Sequence, residues 1–257
     1  MSWRRYVALG DSFTEGLDDP APDGRHHGWA DRMANSLAEL TPELEYANLA
    51  IRGRKLPQII DEQLPVALSM RPDLVSLVGG VNDVLRPKWD LALASDLMNR
   101  GTRMIRESGA DVILIVVGDP SKRSRTLGTL AGRLERYRDA IVDIADRQGC
   151  YVADLWGAEV FDDPRVWSVD RLHLNGIGHD RVARAVLQVL GYGDDSWREP
   201  LPPAVPPSRL QTVRGDAQWI KTHLAPWVAR RVRGQSSGDN VTAKRQEPGP
   251  VDRPPVE

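Results

Sequence analysis

A chain of 257 residues is long enough for one full α/β domain and a modest appendage rather than two equal domains. Its 34 Lys plus Arg nearly cancel 36 Asp plus Glu, and no long block of one sign precedes the tail, so the electrostatic footprint of a nucleic-acid partner is missing. The single Cys150 excludes an intramolecular disulfide and any CxxC or four-cysteine metal site. No stretch approaches the roughly 18 apolar residues of a membrane span. "MSWRRYVALGDS" reaches a strand and a Gly-Asp turn with no apolar leader in between. The expected location is therefore the cytoplasm.

Short β-rich apolar runs alternate with segments of helical period. "YVALGD" (6–11) comes first, followed by Trp29, Met33, Leu37 and Leu40 at spacings of four, four and three. "YANLAI" (46–51), "DLVSLVGG" (73–80) and "DVILIVVG" (111–118) come next; then the stripe Leu130, Leu134, Tyr137, Ile141 and Ile144, and finally "CYVADLW" (150–156). Such alternation predicts a central parallel five-stranded sheet covered by helices on both faces, and the stripes are read as core. A last helix, marked by Val182, Val186, Leu187 and Leu190, can be capped by Asn175 and ended by Gly191. The domain, 1–193, closes there.

Residues 194–233 are expected to be a linker and a helical extension. "REPLPPAVPPS" (198–208) is semi-rigid, and Trp219, Ile220, His223, Leu224, Trp227, Val228 and Val232 then recur at three and four, with Pro226 breaking or restarting the helix. Two tryptophans beside basic residues could touch a membrane surface, but docking on the same protein or a second subunit is the commoner fate of such a stripe. The polar, Pro-rich stretch 234–257 is expected to be disordered.

In an open α/β sheet, ligands bind beyond the carboxyl ends of the strands, so chemistry is sought just after each apolar run. Ser12 in "LGDSF" follows the first run and sits where free helix N–H groups favour developing negative charge; a serine there also caps helices without reacting. Gly53 in "NLAIRGRK" is either a positive-φ turn or a backbone N–H that a substrate oxygen can approach closely. Asn82 in "VGGVNDV" suits a cap or turn, yet its amide can also donate to an oxyanion. Asp170 and His173, three apart, can meet within one turn, the carboxylate fixing the tautomer of the imidazole. His179 has Asp180 as its neighbour, but adjacent helical residues point apart, so His179 is assigned to helix packing or a cap.

Taken in order, Gly10-Asp11-Ser12, Gly53, Gly80-Val81-Asn82-Asp83 and Asp170-Arg171-Leu172-His173 resemble the four blocks of the SGNH hydrolases, also called GDSL-type esterases and lipases. The resemblance spans residues 10–173 and leaves the C-terminal appendage uncovered. It implies a flavodoxin-like three-layer α/β/α sandwich, and the α/β-hydrolase elbow GxSxG is absent. It further implies Ser12 as nucleophile, His173 as general base and then acid, Asp170 as its orienter, and an oxyanion hole of Ser12 N–H, Gly53 N–H and the Asn82 side chain. No cofactor or metal is required, Asp11 and Asp83 brace their loops, and the substrate is a carboxylic ester: a small acyl ester, a lysolipid or an O-acetyl group. Phe13 stands where the family has leucine, which alters the pocket wall. His26 and His27 are read as solvated loop residues, the basic loop 119–128 likewise, and Trp156 and Trp167 as pocket wall or core. Two other classes fit the chain less fully: a flavodoxin-like module that binds a ligand without turning it over, and a scaffold docking a partner through its C-terminal helix.

Overall fold

The computed structural model describes residues 2–21, 24–119, 128–204, 219, 222 and 236–251. β1 (Arg5–Leu9), β2 (Glu45–Asn48), β3 (Leu74–Leu77), β4 (Asp111–Val116) and β5 (Tyr151–Asp154) form where the apolar runs predict them. They pair in parallel in the order β5-β4-β3-β1-β2, with Tyr6 opposite Tyr46 on one side and Leu74 on the other. The chain moves outward from β1 in one direction to β2 and in the other to β3, so a crevice opens beyond the carboxyl ends of β1 and β3, where ligands bind in open sheets.

Successive side chains of β1 enter two different cores. Tyr6 and Ala8 pack beneath α2 (Trp29–Leu40) and the last helix, whereas Val7 and Leu9 pack beneath the helices of the opposite face. Because both faces are covered, the strand is apolar at every position from Tyr6 to Leu9 rather than at every second one.

α1 (Ser12–Glu15) is a single turn that follows β1 directly. Between β2 and β3 lie α3 (Leu56–Gln58), a π-helical turn (Ile59–Gln63) and α4 (Leu64–Ser69). The short α5 (Val81–Val84) follows β3, α6 (Leu91–Glu107) precedes β4, and α7 (Ala131–Gln148) precedes β5. α8 (Gly176–Val189) closes the domain, its first turn capped by the Asn175 side chain, which accepts from the Ile177 and Gly178 N–H groups. This is the three-layer α/β/α arrangement expected.

Two expectations are corrected. Leu40, the last member of the first helical stripe, is 59% exposed because α2 ends on it, and Leu44 fills the core instead. The stretch 234–257 is not wholly irregular: β6 (Arg245–Pro250) lies antiparallel against β2, so the sheet has six strands and a mixed edge. Of the expected helical extension only Trp219 and Thr222 are described; its remaining stripe, His223 included, and the basic side chains of the 119–128 loop lie outside the described residues. Among the described residues no helix is long and apolar enough to cross a membrane.

Leu77→Ala empties a fully buried site in the central strand β3 and is expected to cost about 3 kcal/mol in urea unfolding, as cavity-forming substitutions do. Leu40→Ala should stay within about 0.5 kcal/mol, since its side chain faces solvent.

Candidate active site

Ser12 is the first residue of α1, and the cap of that helix is Asp11, whose Oδ1 accepts from the Phe13 N–H at 3.1 Å. The competing role for a serine at this point is therefore already filled, and the Ser12 hydroxyl faces His173 instead. Ser12 Oγ lies 2.9 Å from His173 Nε2, and His173 Nδ1 lies 2.6 Å from Asp170 Oδ2. With an anionic partner on Nδ1, the proton belongs there, which leaves Nε2 to accept from the Ser12 hydroxyl.

The second carboxylate oxygen of Asp170 accepts from the backbone N–H groups of Leu172 and His173, at 2.8 and 2.9 Å. This turn holds the two side chains at a spacing of three and places Arg171 at φ 58°, in the left-handed region. Burial raises the Asp170 carboxyl, but the His173 hydrogen bond and charge, with those two N–H groups, pull it well below the usual range. Burial likewise lowers the His173 imidazole, and here the hydrogen bond and charge of Asp170 prevail, with Asp18 and Asp11 adding to them, so its pKa is raised. Among the described residues, Asp18, Asp170 and His173 are the one group with ligand atoms close enough for a metal ion, but the latter two are bonded to each other.

Asn82 lies at the head of α5 and donates to Asp11 Oδ2 at 3.0 Å and to the Arg54 carbonyl at 3.1 Å. Gly53 adopts φ 75°, so the turn reading of that residue holds. Among the described residues neither its N–H nor that of Ser12 has a hydrogen-bond acceptor. Asp11, buried and facing Asp83, is pushed up to about 6, with desolvation the largest cause. Asp83 accepts from the Leu56 N–H at 2.9 Å, so both aspartates brace loops.

His179 stands apart from the relay. It is buried, and its Nδ1 accepts from the Trp29 N–H at 3.3 Å at the start of α2; desolvation lowers its pKa to about 3, which keeps it neutral. His26 and His27 are half-buried rather than solvated, the His27 ring meeting the Asn35 amide at 3.3 Å. Trp156 and Trp167 pack against the two cores, and Trp167 Nε1 donates to the Phe161 carbonyl at 2.9 Å.

Three supporting residues escape sequence reasoning. Gln63 is buried in the π-helical turn and exchanges two hydrogen bonds of 2.9 Å with the backbone of Gly10. Asn48, at the end of β2, donates to the Thr14 carbonyl at 3.0 Å. Glu15, buried, accepts from the Arg52 N–H at 2.7 Å and from its guanidinium, tying α1 to the Gly53 loop. A lone polar residue inside an apolar stripe is the one signal that Gln63 leaves in the sequence.

A flavodoxin-like strand order carrying a hydroxyl, an imidazole and a carboxylate in hydrogen-bonded series defines a protein of the esterase class. The chain belongs to the GDSL-like Lipase/Acylhydrolase family, whose model matches residues 8–181. No curated protein sequence matches it. Among solved structures it is similar to an alpha/beta hydrolase from the metagenome of Lake Arreo, Spain (22% identity, TM-score 0.59, covering 74% of this chain and 96% of that one). It is also similar to a variant of an acetyl xylan esterase from Geobacillus stearothermophilus (19%, 0.62, 74% and 96%) and to a further acetyl xylan esterase (23%, 0.61, 72% and 99%). Catalytic mutants of the Geobacillus enzyme, lacking a serine, an aspartate or a histidine, match as well.

For Ser12 to pass its proton to His173, as the sequence reading expects, Nε2 must be unprotonated, and the pKa of this imidazole is raised. Turnover should therefore fall on acidification with an apparent pKa above the roughly 6.5 of a free imidazole. In Asp170→Asn the largest raising influence is gone, so the acid limb of the pH–rate profile should move to lower pH while the maximal rate drops.

Proposed function

We propose that this chain hydrolyses a small acyl ester, an O-acetyl group being the simplest case, through an acyl-enzyme on Ser12. The observation that carries the reading is the continuous series Ser12 Oγ, His173 Nε2, His173 Nδ1, Asp170 Oδ2, with separations of 2.9 and 2.6 Å. Ser12 Oγ attacks the acyl carbon as His173 Nε2 takes its proton, and Asp170 steadies the imidazolium that results. The same N–H proton then passes to the departing alkoxide oxygen, the C–O bond breaks, and the acyl group stays on Ser12. Water repeats the sequence: it gives a proton to Nε2, adds to the acyl carbon, and Ser12 leaves with that proton restored.

The oxyanion of both tetrahedral intermediates would meet the N–H groups of Ser12 and Gly53, which have no acceptor among the described residues. Such donors each matter by roughly 3 kcal/mol in the transition state. Asn82 is held beside them by Asp11 and the Arg54 carbonyl, so its donation requires one of those bonds to be shared with the oxyanion. The fold shared with acetyl xylan esterases supports a small acyl group. A module that only binds a ligand would have no use for a base aligned on a serine.

The test is hydrolysis of p-nitrophenyl acetate, butyrate and octanoate by the wild type beside Ser12→Ala and His173→Ala, with circular dichroism to verify folding. Either substitution should lower kcat/KM by about 1,000-fold or more, and acetate should be the preferred ester. His179→Ala leaves the relay intact and should keep turnover. Equal activity in wild type and Ser12→Ala would remove Ser12 from the mechanism.

A further inference from the structure

The polar stretch at the end of the chain touches two of the segments that build the site, the turn that carries Ser12 and the Gly53 loop, although it lies beyond the family match, which ends at residue 181. Lys244 stands just before β6. Its ammonium reaches the Glu15 carbonyl at 2.7 Å, the His26 carbonyl at 2.9 Å and the Asp31 carboxylate. A lysine has three N–H donors, and here each has an acceptor from a different element: the end of α1, the loop that follows it, and the first turn of α2. The Lys244 side chain is only 14% exposed. The Glu15 carbonyl terminates the helix that begins with Ser12, so the ammonium also offsets the negative end of that helix.

Eight residues earlier the same segment lies on the Gly53 loop. A Cβ placed on Gly53 would come 2.4 Å from Ser236 Oγ, and one placed on Gly238 would come 2.0 Å from the Arg52 carbonyl. At Gly238 the two backbones therefore approach as closely as glycine allows, while Gly53, whose positive φ already calls for glycine, lies against the Ser236 side chain. The turn is closed internally, Ser236 N–H donating to Asp239 Oδ2 at 2.9 Å and Gly238 N–H to Ser236 Oγ at 3.2 Å. β6 then pairs with β2, the strand that leads into that loop, and the Arg245 guanidinium lies 5.5 Å from the Tyr46 ring while donating to the Tyr46 carbonyl at 2.7 Å. Farther up the appendage, Trp219 Nε1 donates to the Asp170 carbonyl at 2.7 Å, with the Arg171 guanidinium 5.3 Å from its ring.

We infer that residues 236–251 are a built-in positioning element of the active site: Lys244 sets the carboxyl end of the nucleophile helix, and Ser236 to Gly238 seat the loop that presents the Gly53 N–H. The inference rests on the role proposed above for Ser12. None of these residues touches the reacting atoms. They act through α1 and the Gly53 loop, where a displacement of about 1 Å can cost on the order of 100-fold in rate.

The experiment uses the full chain with two substitutions made separately. Lys244→Met keeps the stem and removes the charge, and Gly238→Ala drives the 236–238 turn off the Arg52 carbonyl. Each should lower kcat on p-nitrophenyl acetate by about 10-fold or more with KM held within about twofold, and amide hydrogen exchange should speed up at residues 11–17 and 51–55. Folded variants with wild-type kcat and wild-type exchange overturn the inference, and so does a loss of thermal stability with kcat unchanged, which would make the segment a mere staple. Should Lys244→Met fail to fold, Gly238→Ala decides the matter. An inert wild type would sink the hydrolase reading alone, because the exchange measurement still tells whether the segment holds the two loops.

Discussion

A serine at the start of a helix is a natural cap, and the site depends on that serine having no backbone to serve. Asp11 takes the cap, donating nothing and accepting from the Phe13 N–H. The rest of the turn is satisfied in the same way by outsiders: Gln63 completes Gly10, Asn48 takes an N–H to the Thr14 carbonyl, and Lys244 closes the Glu15 carbonyl. With these groups paired, the Ser12 hydroxyl is left for His173. The arrangement has an electrostatic cost, since Asp11 is buried beside the relay. Desolvation raises its pKa to about 6, and its bonds to the Phe13 N–H and the Asn82 amide, together with His173, pull it the other way.

The imidazole sits among carboxylates. Asp170 is 2.6 Å from Nδ1, Asp18 is 4.0 Å from the same atom, and Asp11 adds its charge from the side of the serine. Ser168 Oγ lies 2.7 Å from a carboxylate oxygen of both Asp18 and Asp170, with one proton to give. Such surroundings favour the imidazolium that the proposed transfer of the Ser12 proton would form. Two non-glycine residues here, Asp18 and Arg171, adopt φ 69° and 58°, a conformation that costs an ordinary residue about 1–3 kcal/mol. At Arg171 the strain is held by the two N–H bonds that Leu172 and His173 send to Asp170. The turn that aims the histidine is the turn that is strained.

What could be read from sequence follows from how local each feature is. The strands of the parallel sheet are legible because burial on both faces makes them continuous apolar runs, and Asp170 and His173 are legible because a spacing of three is short enough for one turn. Asn82 and Gly53 are legible as positions after strands; that the Asn82 amide is engaged by Asp11 and Arg54 is not, since those partners are 71 and 28 residues away. The Glu15–Arg52 pair and Gln63 hide for the same reason, long-range pairing carrying no periodic mark. β6 hides for a different one. "RQEPGP" has two prolines, a glycine and three long polar side chains, a composition that reads as disorder and lacks every residue type enriched in strands.

That same composition suits an edge. Without β6, β2 would present a row of unpaired backbone groups at the margin of the sheet, the kind of edge on which another chain can pair. Proline is confined in sheets to edge strands and bulges, and β6 pairs with a register shift between Tyr46 and Asn48, an irregularity that interrupts the ladder. β6 is thus able to cover β2 without itself inviting a further strand. β2 runs directly into the Gly53 loop, and Asn48 at its end donates to the Thr14 carbonyl, so the strand that β6 covers also touches the turn that carries Ser12. The family match ends at residue 181, yet the strand that closes the edge of its sheet, Arg245–Pro250, lies beyond it.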